Sequence, residues 1–150
     1  MNKELTLDQL HAAKKAHISW VSKAKALIEG LPVNKEQIPV DCTSCKFGEW
    51  FYSDAQVLKR IPGMDCLTTI ETEHFNLHDV YMKIFKIYFD ESNLSFLSKM
   101  IGSKKKVSKE EQEQAEFYYQ ELREISKVLV GLIDKLEKRL HVLHAQRFTA

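Results

Sequence analysis

An all-α fold, an antiparallel four-helix bundle with one short extra aromatic segment, is what this sequence predicts, and three observations carry the expectation. Five glycines and three prolines in 150 residues are too few for the frequent turns of a β-fold. Three long segments repeat apolar residues at intervals of three and four, the period of a helix with one inward face. Two of these segments open on a capping box, Thr6–Leu7–Asp8–Gln9 and Ser108–Lys109–Glu110–Glu111, where the first side chain accepts a backbone N–H and the last reaches back. A chain of 150 residues fits a single domain with one core, spanning 1–150.

The first helix is expected from Thr6 to Gly30, just before Pro32, with Leu10, Ala13, His17, Trp20, Val21, Ala24, Leu27 and Ile28 inward. A Pro-bounded run, Pro32 to Pro39, leads into Asp41 to Tyr52, whose dense aromatics read as a short helix or turn packed on the bundle. Trp20, Phe47, Trp50, Phe51 and Tyr52 are read as core packing, and Gly48 as permitting two backbones to approach closely. A short helix from Asp54 to Arg60 stops at Pro62–Gly63. The next helix runs from about Asp65 to about Phe89, with Leu67, Ile70, His74, Leu77, His78, Tyr81, Ile84, Phe85 and Tyr88 inward. Asn93 to Met100 reads as a further turn, and Gly102 to Lys106 as an exposed, lysine-rich connection. The last helix, about 108–147, carries a nearly heptad seam of Ala115, Tyr118, Leu122, Ile125, Leu129, Leu132, Leu136, Leu140 and Leu143. It is longer than its neighbours need, so part of it can pair with a second copy in a homodimer.

Charge and hydropathy exclude several functions. Twenty-two Lys and Arg against 21 Asp and Glu leave a net charge of +1, so no global field attracts nucleic acid or anionic lipid. Apolar runs are broken by charge well before 18 residues, and the N-terminus has no signal-peptide core, which predicts a cytoplasmic protein without membrane insertion. Three cysteines, an odd count for a reducing compartment, speak against a disulfide framework. There is no Gly-rich phosphate loop, nucleophile elbow or paired-carboxylate motif, and no enzymatic activity is expected.

The chemistry concentrates on histidine. His74 and His78 lie one helical turn apart, so both imidazoles leave the same face and can reach one ion. On a stripe otherwise apolar they would cost desolvation unless something satisfies them. His17 repeats the anomaly on the first helix, and facing helices are how bundles build metal sites. Cys45, in the aromatic segment, can complete a set of three histidines and one cysteine, a tetrahedral N/S donor set suited to one Zn²⁺ per chain. Four protein ligands leave no position for an activated water, which points to structure or sensing. His11, His141 and His144, near helix ends, are expected to be solvated, and Cys66 to be a small buried apolar residue.

Cys45–Lys46–Phe47–Gly48–Glu49–Trp50, between a helix carrying His17 and a His74-x-x-x-His78 helix, resembles the chemoreceptor zinc-binding domain family. That family has a His in its first helix, a Cys-x-Phe/Leu-Gly-x-Trp motif and a His-x-x-x-His pair. The resemblance covers roughly residues 10–85. It implies a helical-bundle, commonly dimeric, regulatory module attached to cytoplasmic bacterial chemoreceptors and diguanylate cyclases, with His17, Cys45, His74 and His78 as zinc ligands. It also implies a signalling partner of chemoreceptor or cyclase type, and oxidants such as hypochlorous acid as a signal beside zinc itself. The chain departs from the family in two ways. Where Asp-His often precedes the motif Cys, it has Asp41–Cys42, so Cys42 is a bystander, an alternative ligand or a resolving thiol. No receptor or cyclase region accompanies the bundle, which reads as a stand-alone regulator or an excised domain. Asp41 is either an acceptor for a ligand imidazole N–H or a helix N-cap. Two other functions share the architecture: a zinc-stapled dimerisation protein without sensing, and a hemerythrin-like di-iron carrier, for which histidines and bridging carboxylates are too few.

Overall fold

The computed structural model describes residues 2–89 and 107–148. Among them the chain is all-helical: α1 is Lys3–Ile28, α2 Lys46–Phe51, α3 Cys66–Phe89 and α4 Lys109–Val142, with 3₁₀ turns at Lys35–Gln37, Asp54–Arg60 and Ala145–Phe148. The turn expected at Asn93–Met100 and the Lys104–Lys106 run lie outside the described residues. No helix among them is long and apolar enough to cross a membrane.

The first helix starts earlier than its capping box implies. Asn2 is the N-cap, its side chain accepting the Leu5 N–H at 2.7 Å. Thr6 lies inside the helix, buried, its hydroxyl donating to the Asn2 carbonyl at 2.8 Å. Asn caps at least as well as Thr, and the extra turn places Thr6 on the buried face of the helix. The second capping box forms as expected, Glu111 N–H donating to Ser108 Oγ and Ser108 N–H to Glu111 Oε1, both at 3.2 Å. Gly30, at φ 83°, provides the left-handed residue that ends α1.

Hydrogen bonds between helix ends fix the directions. Lys3 Nζ donates to the carbonyls of His141 and Leu143. Gln112 Nε2 donates to the Ile28 carbonyl at 2.7 Å, so α1 runs antiparallel to α4. Tyr88 donates to Gln112 Oε1 at 2.7 Å, and Arg139 donates to the Gly63 carbonyl, so α3 also runs antiparallel to α4. Helices α1 and α3 therefore share a direction. Residues 29–65 must return from one end of the pair to the other, and this return run carries α2. The core is built from Leu10, Leu27, Ile70, Leu77, Tyr81, Ile84, Leu122 and Leu129, each essentially inaccessible.

Five of the nine residues expected in the α4 seam, Ala115, Leu122, Leu129, Leu136 and Leu140, are fully buried, and Ser126 and Ile133 join them. The other four, Tyr118, Ile125, Leu132 and Leu143, flank the seam half-buried. The expected row and the buried row both alternate by three and four, so spacing alone does not choose between them, and packing against α1 and α3 turns Ser126 and Ile133 inward. The helix also stops at Val142 rather than near 147, where Lys3 takes up its terminal carbonyls.

Candidate metal centre

A tight turn sets the first donor. Asp41 Oδ1 accepts the N–H and the hydroxyl of Thr43, both at 2.9 Å, closing the loop ahead of α2. Cys45 is the N-cap of α2, and its sulfur accepts the Gly48 N–H at 3.2 Å. A Cβ at position 48 would lie 1.8 Å from the Cys42 carbonyl oxygen. Only glycine allows α2 to press on the loop this closely, which holds the buried Cys45 sulfur against α3.

From α3, His74 and His78 project side by side with ring centroids 4.7 Å apart. Cys45 Sγ lies 3.3 Å from His74 Nε2, close to the edge of about 3.5 Å that a tetrahedral zinc gives its S and N ligands. One ligand atom each from Cys45, His74 and His78 lies within 4.8 Å of the others, and all three residues are buried. His78 Nδ1–H donates to the Val40 carbonyl at 2.7 Å, which fixes the tautomer and leaves Nε2 with its lone pair. Phe47 covers His74 and Trp20 covers His78, each at 4.8 Å between centroids.

Electrostatics keep these donors neutral. Burial, then His78 and His17, lowers His74 to about 3. Burial and the neighbouring His78 lower His17 to about 4. Burial also lowers His78, against the opposing pull of the Val40 carbonyl and of Asp41 and Asp79. Burial raises the Cys45 thiol to about 11, outweighing the Gly48 N–H. At neutral pH the histidines thus offer free lone pairs, while the thiol must release its proton to ligate. His74 Nδ1 is buried without a hydrogen-bond partner. Three buried donors that converge within 4.8 Å of one another fit a cation-binding site better than a core contact.

The four expected ligands are not all gathered. His17 lies outside the three-donor cluster, its Nε2 sharing a 2.9 Å hydrogen bond with Ser126 Oγ on α4. It nevertheless lines the same cavity of ≈ 250 Å³ as Cys45 and His78. Ser126 was not legible as a site residue: a serine in a leucine-rich helix signals an outer face, and only packing against α1 and α3 places it inside.

Asp41 closes its own turn and is held below the usual carboxylate range by Thr43. The Val40 carbonyl, not Asp41, accepts from the His78 imidazole. Cys42 is half-buried, its carbonyl 3.6 Å from Cys45 Sγ. Its thiol faces the Tyr52 hydroxyl and is raised by burial, then by Asp41. All three cysteines are free thiols, and Cys66 is buried at the start of α3. His11 and His141 stand away from the site, flanking Glu137 at 2.6 and 3.6 Å.

Residues 17–85 match the family model of the chemoreceptor zinc-binding domain. That span holds Cys45, His74 and His78, and ends before α4. Comparison with curated proteins and with solved structures gave no match.

Proposed function

Because residues 17–85 belong to the chemoreceptor zinc-binding domain family, we propose that this protein is a zinc-binding sensory module of bacterial signalling, of the chemotaxis or cyclic-dinucleotide type. The observation that carries the reading is the buried Cys45, His74 and His78 cluster. His17 supplies the fourth ligand, and one zinc binds per chain. When bound, zinc holds the Cys45 sulfur as a thiolate at neutral pH. Four protein ligands leave no open position for an activated water, so the module is not an enzyme.

The donors come from three separate helices, so their occupancy is tied to how those helices pack. Loss of metal, or oxidation of the Cys45 sulfur by an agent such as hypochlorous acid, opens the set and lets α1, α2 and α3 rearrange. The module works in the cytoplasm as a homodimer and passes its signal to a protein partner of receptor or cyclase type. Exposed Phe117 and Val128 on α4 support a surface for the second copy.

Metal stoichiometry of the wild type, Cys45→Ser and His74→Ala, each measured again after hypochlorous acid, tests the reading. One zinc in the wild type, loss in both variants and loss after oxidant are expected. Full metal content in both variants would sink the site. The burial of every donor also favours a second reading, zinc as a permanent staple. Zinc that neither a strong chelator nor oxidant removes on a signalling timescale would favour the staple.

A further inference from the structure

We infer that His17 is a swinging ligand shared between Ser126 of α4 and the three-donor metal cluster, so that Ser126 couples metal occupancy to the long C-terminal helix. The inference rests on the zinc-site reading above and adds a residue that lies beyond the family match, which ends at residue 85.

Three observations carry it. Cys45, His74 and His78 supply three donors, one short of a closed tetrahedral site. The remaining buried histidine, His17, has its Nε2 engaged 2.9 Å from Ser126 Oγ, and both side chains are buried. His17, Cys45 and His78 line one cavity of ≈ 250 Å³, so the His17 ring borders the same space as two of the three donors.

Where Ser126 Oγ–H donates, the bond takes the Nε2 lone pair, so that nitrogen cannot hold a cation at the same time. The two uses exclude each other. When His17 turns to the metal, Ser126 is left in an apolar seam between Leu122 and Leu129 and needs a new acceptor. The carbonyl one turn back, at Leu122, lies in the position to which helical serines commonly back-bond, an exchange that bends a helix slightly. Metal binding is thereby transmitted to α4 without α4 providing a ligand. The coupling is reciprocal: anything that fixes the α4 seam with Ser126 on His17 weakens metal binding.

The test is a zinc titration by competition with a chromophoric chelator, on the full chain, for wild type, Ser126→Ala, Ser126→Thr, His17→Ala and the His17→Ala/Ser126→Ala double variant. Ser126→Ala removes the competing partner and keeps a strong helix former in place, so the fold is retained. Zinc affinity should tighten by roughly two- to tenfold, the worth of one hydrogen bond. Ser126→Thr, which keeps the hydroxyl, should stay near the wild type. In the His17→Ala background, Ser126→Ala should change nothing. As a second readout, zinc should alter amide exchange of α4 around Leu122 to Leu129 in the wild type but not in Ser126→Ala.

Weaker binding in Ser126→Ala would mean that Ser126 orients His17 as a ligand and would overturn the exchange. Unchanged affinity would overturn the coupling altogether. Both are distinct from failure of the zinc site itself, which would show as unaltered affinity in Cys45→Ser and His74→Ala.

Discussion

A methyl group at position 48 would sit 1.8 Å from the Cys42 carbonyl oxygen and 3.3 Å from Thr43 Cα, contacts that backbone atoms cannot yield without moving the loop. The same loop holds Val40, whose carbonyl fixes the His78 tautomer, and ends in Cys45. Gly48 therefore sets two donors at once. Gly48→Ala should cost about 1–3 kcal/mol of stability as overpacking and reduce zinc affinity by about tenfold or more. Chelator competition checks it, and an affinity equal to the wild type would mean the loop shifts without disturbing the sulfur. The residue scale is also where the sequence was most readable. Cys45, His74 and His78 stand together because one motif and one helical turn dictate it. His17 was legible as an anomaly on an apolar stripe, but its partner was not. Nothing local marks Ser126 as buried, and the Val40 carbonyl is a backbone group that no side-chain pattern announces.

At the scale of elements, boundaries followed local chemistry where caps were unambiguous. Helix α3 begins at Cys66, within a residue of the position set by Pro62–Gly63, and α4 begins at its capping box. Two readings failed for a common reason. Asn2 and Thr6 are both competent caps, and α1 uses the earlier one because tertiary burial of Thr6 decides between them. In α4 the apolar residues outnumber one stripe, so Ile125, Leu132 and Tyr118 compete with Ser126 and Ile133 for the seam, and only packing against α1 and α3 selects. The cap of α4 is open to a direct test. Ser108→Ala removes the side-chain acceptor for Glu111 N–H and half of the reciprocal pair. It should lower stability by about 1 kcal/mol, read as a lower melting temperature, with zinc affinity unchanged because the cap lies far along α4 from Ser126. A change in affinity with no change in melting would contradict that separation.

On the scale of the whole molecule, the site makes stability depend on pH with a definite sign. His17 and His74 are neutral in the folded protein down to about 4 and about 3, while in the unfolded chain each takes a proton near 6.5. Between those limits the unfolded state binds more protons, so stability is fully present above pH 6.5 and is lost as the pH falls through the window. For His17 the loss reaches on the order of 3 kcal/mol by pH 4. The contributions of His17 and His74 do not simply add, because each ring's charge opposes protonation of its neighbour. On the proposed zinc site, metal bound only by the folded state would raise stability in proportion to the logarithm of its concentration over Kd, and protons would compete for the same lone pairs. Thermal melts from pH 8 to 4.5, with and without a strong chelator, should therefore show two curves. The metal-free protein should hold a constant melting temperature down to about pH 6.5 and fall below it. The zinc-loaded protein should lie above that curve at neutral pH and drop more steeply, meeting it where metal is released. A metal-free melting temperature that stays flat to pH 4.5 would show that His17 and His74 are not neutral buried groups, and the donor set would lose its physical basis.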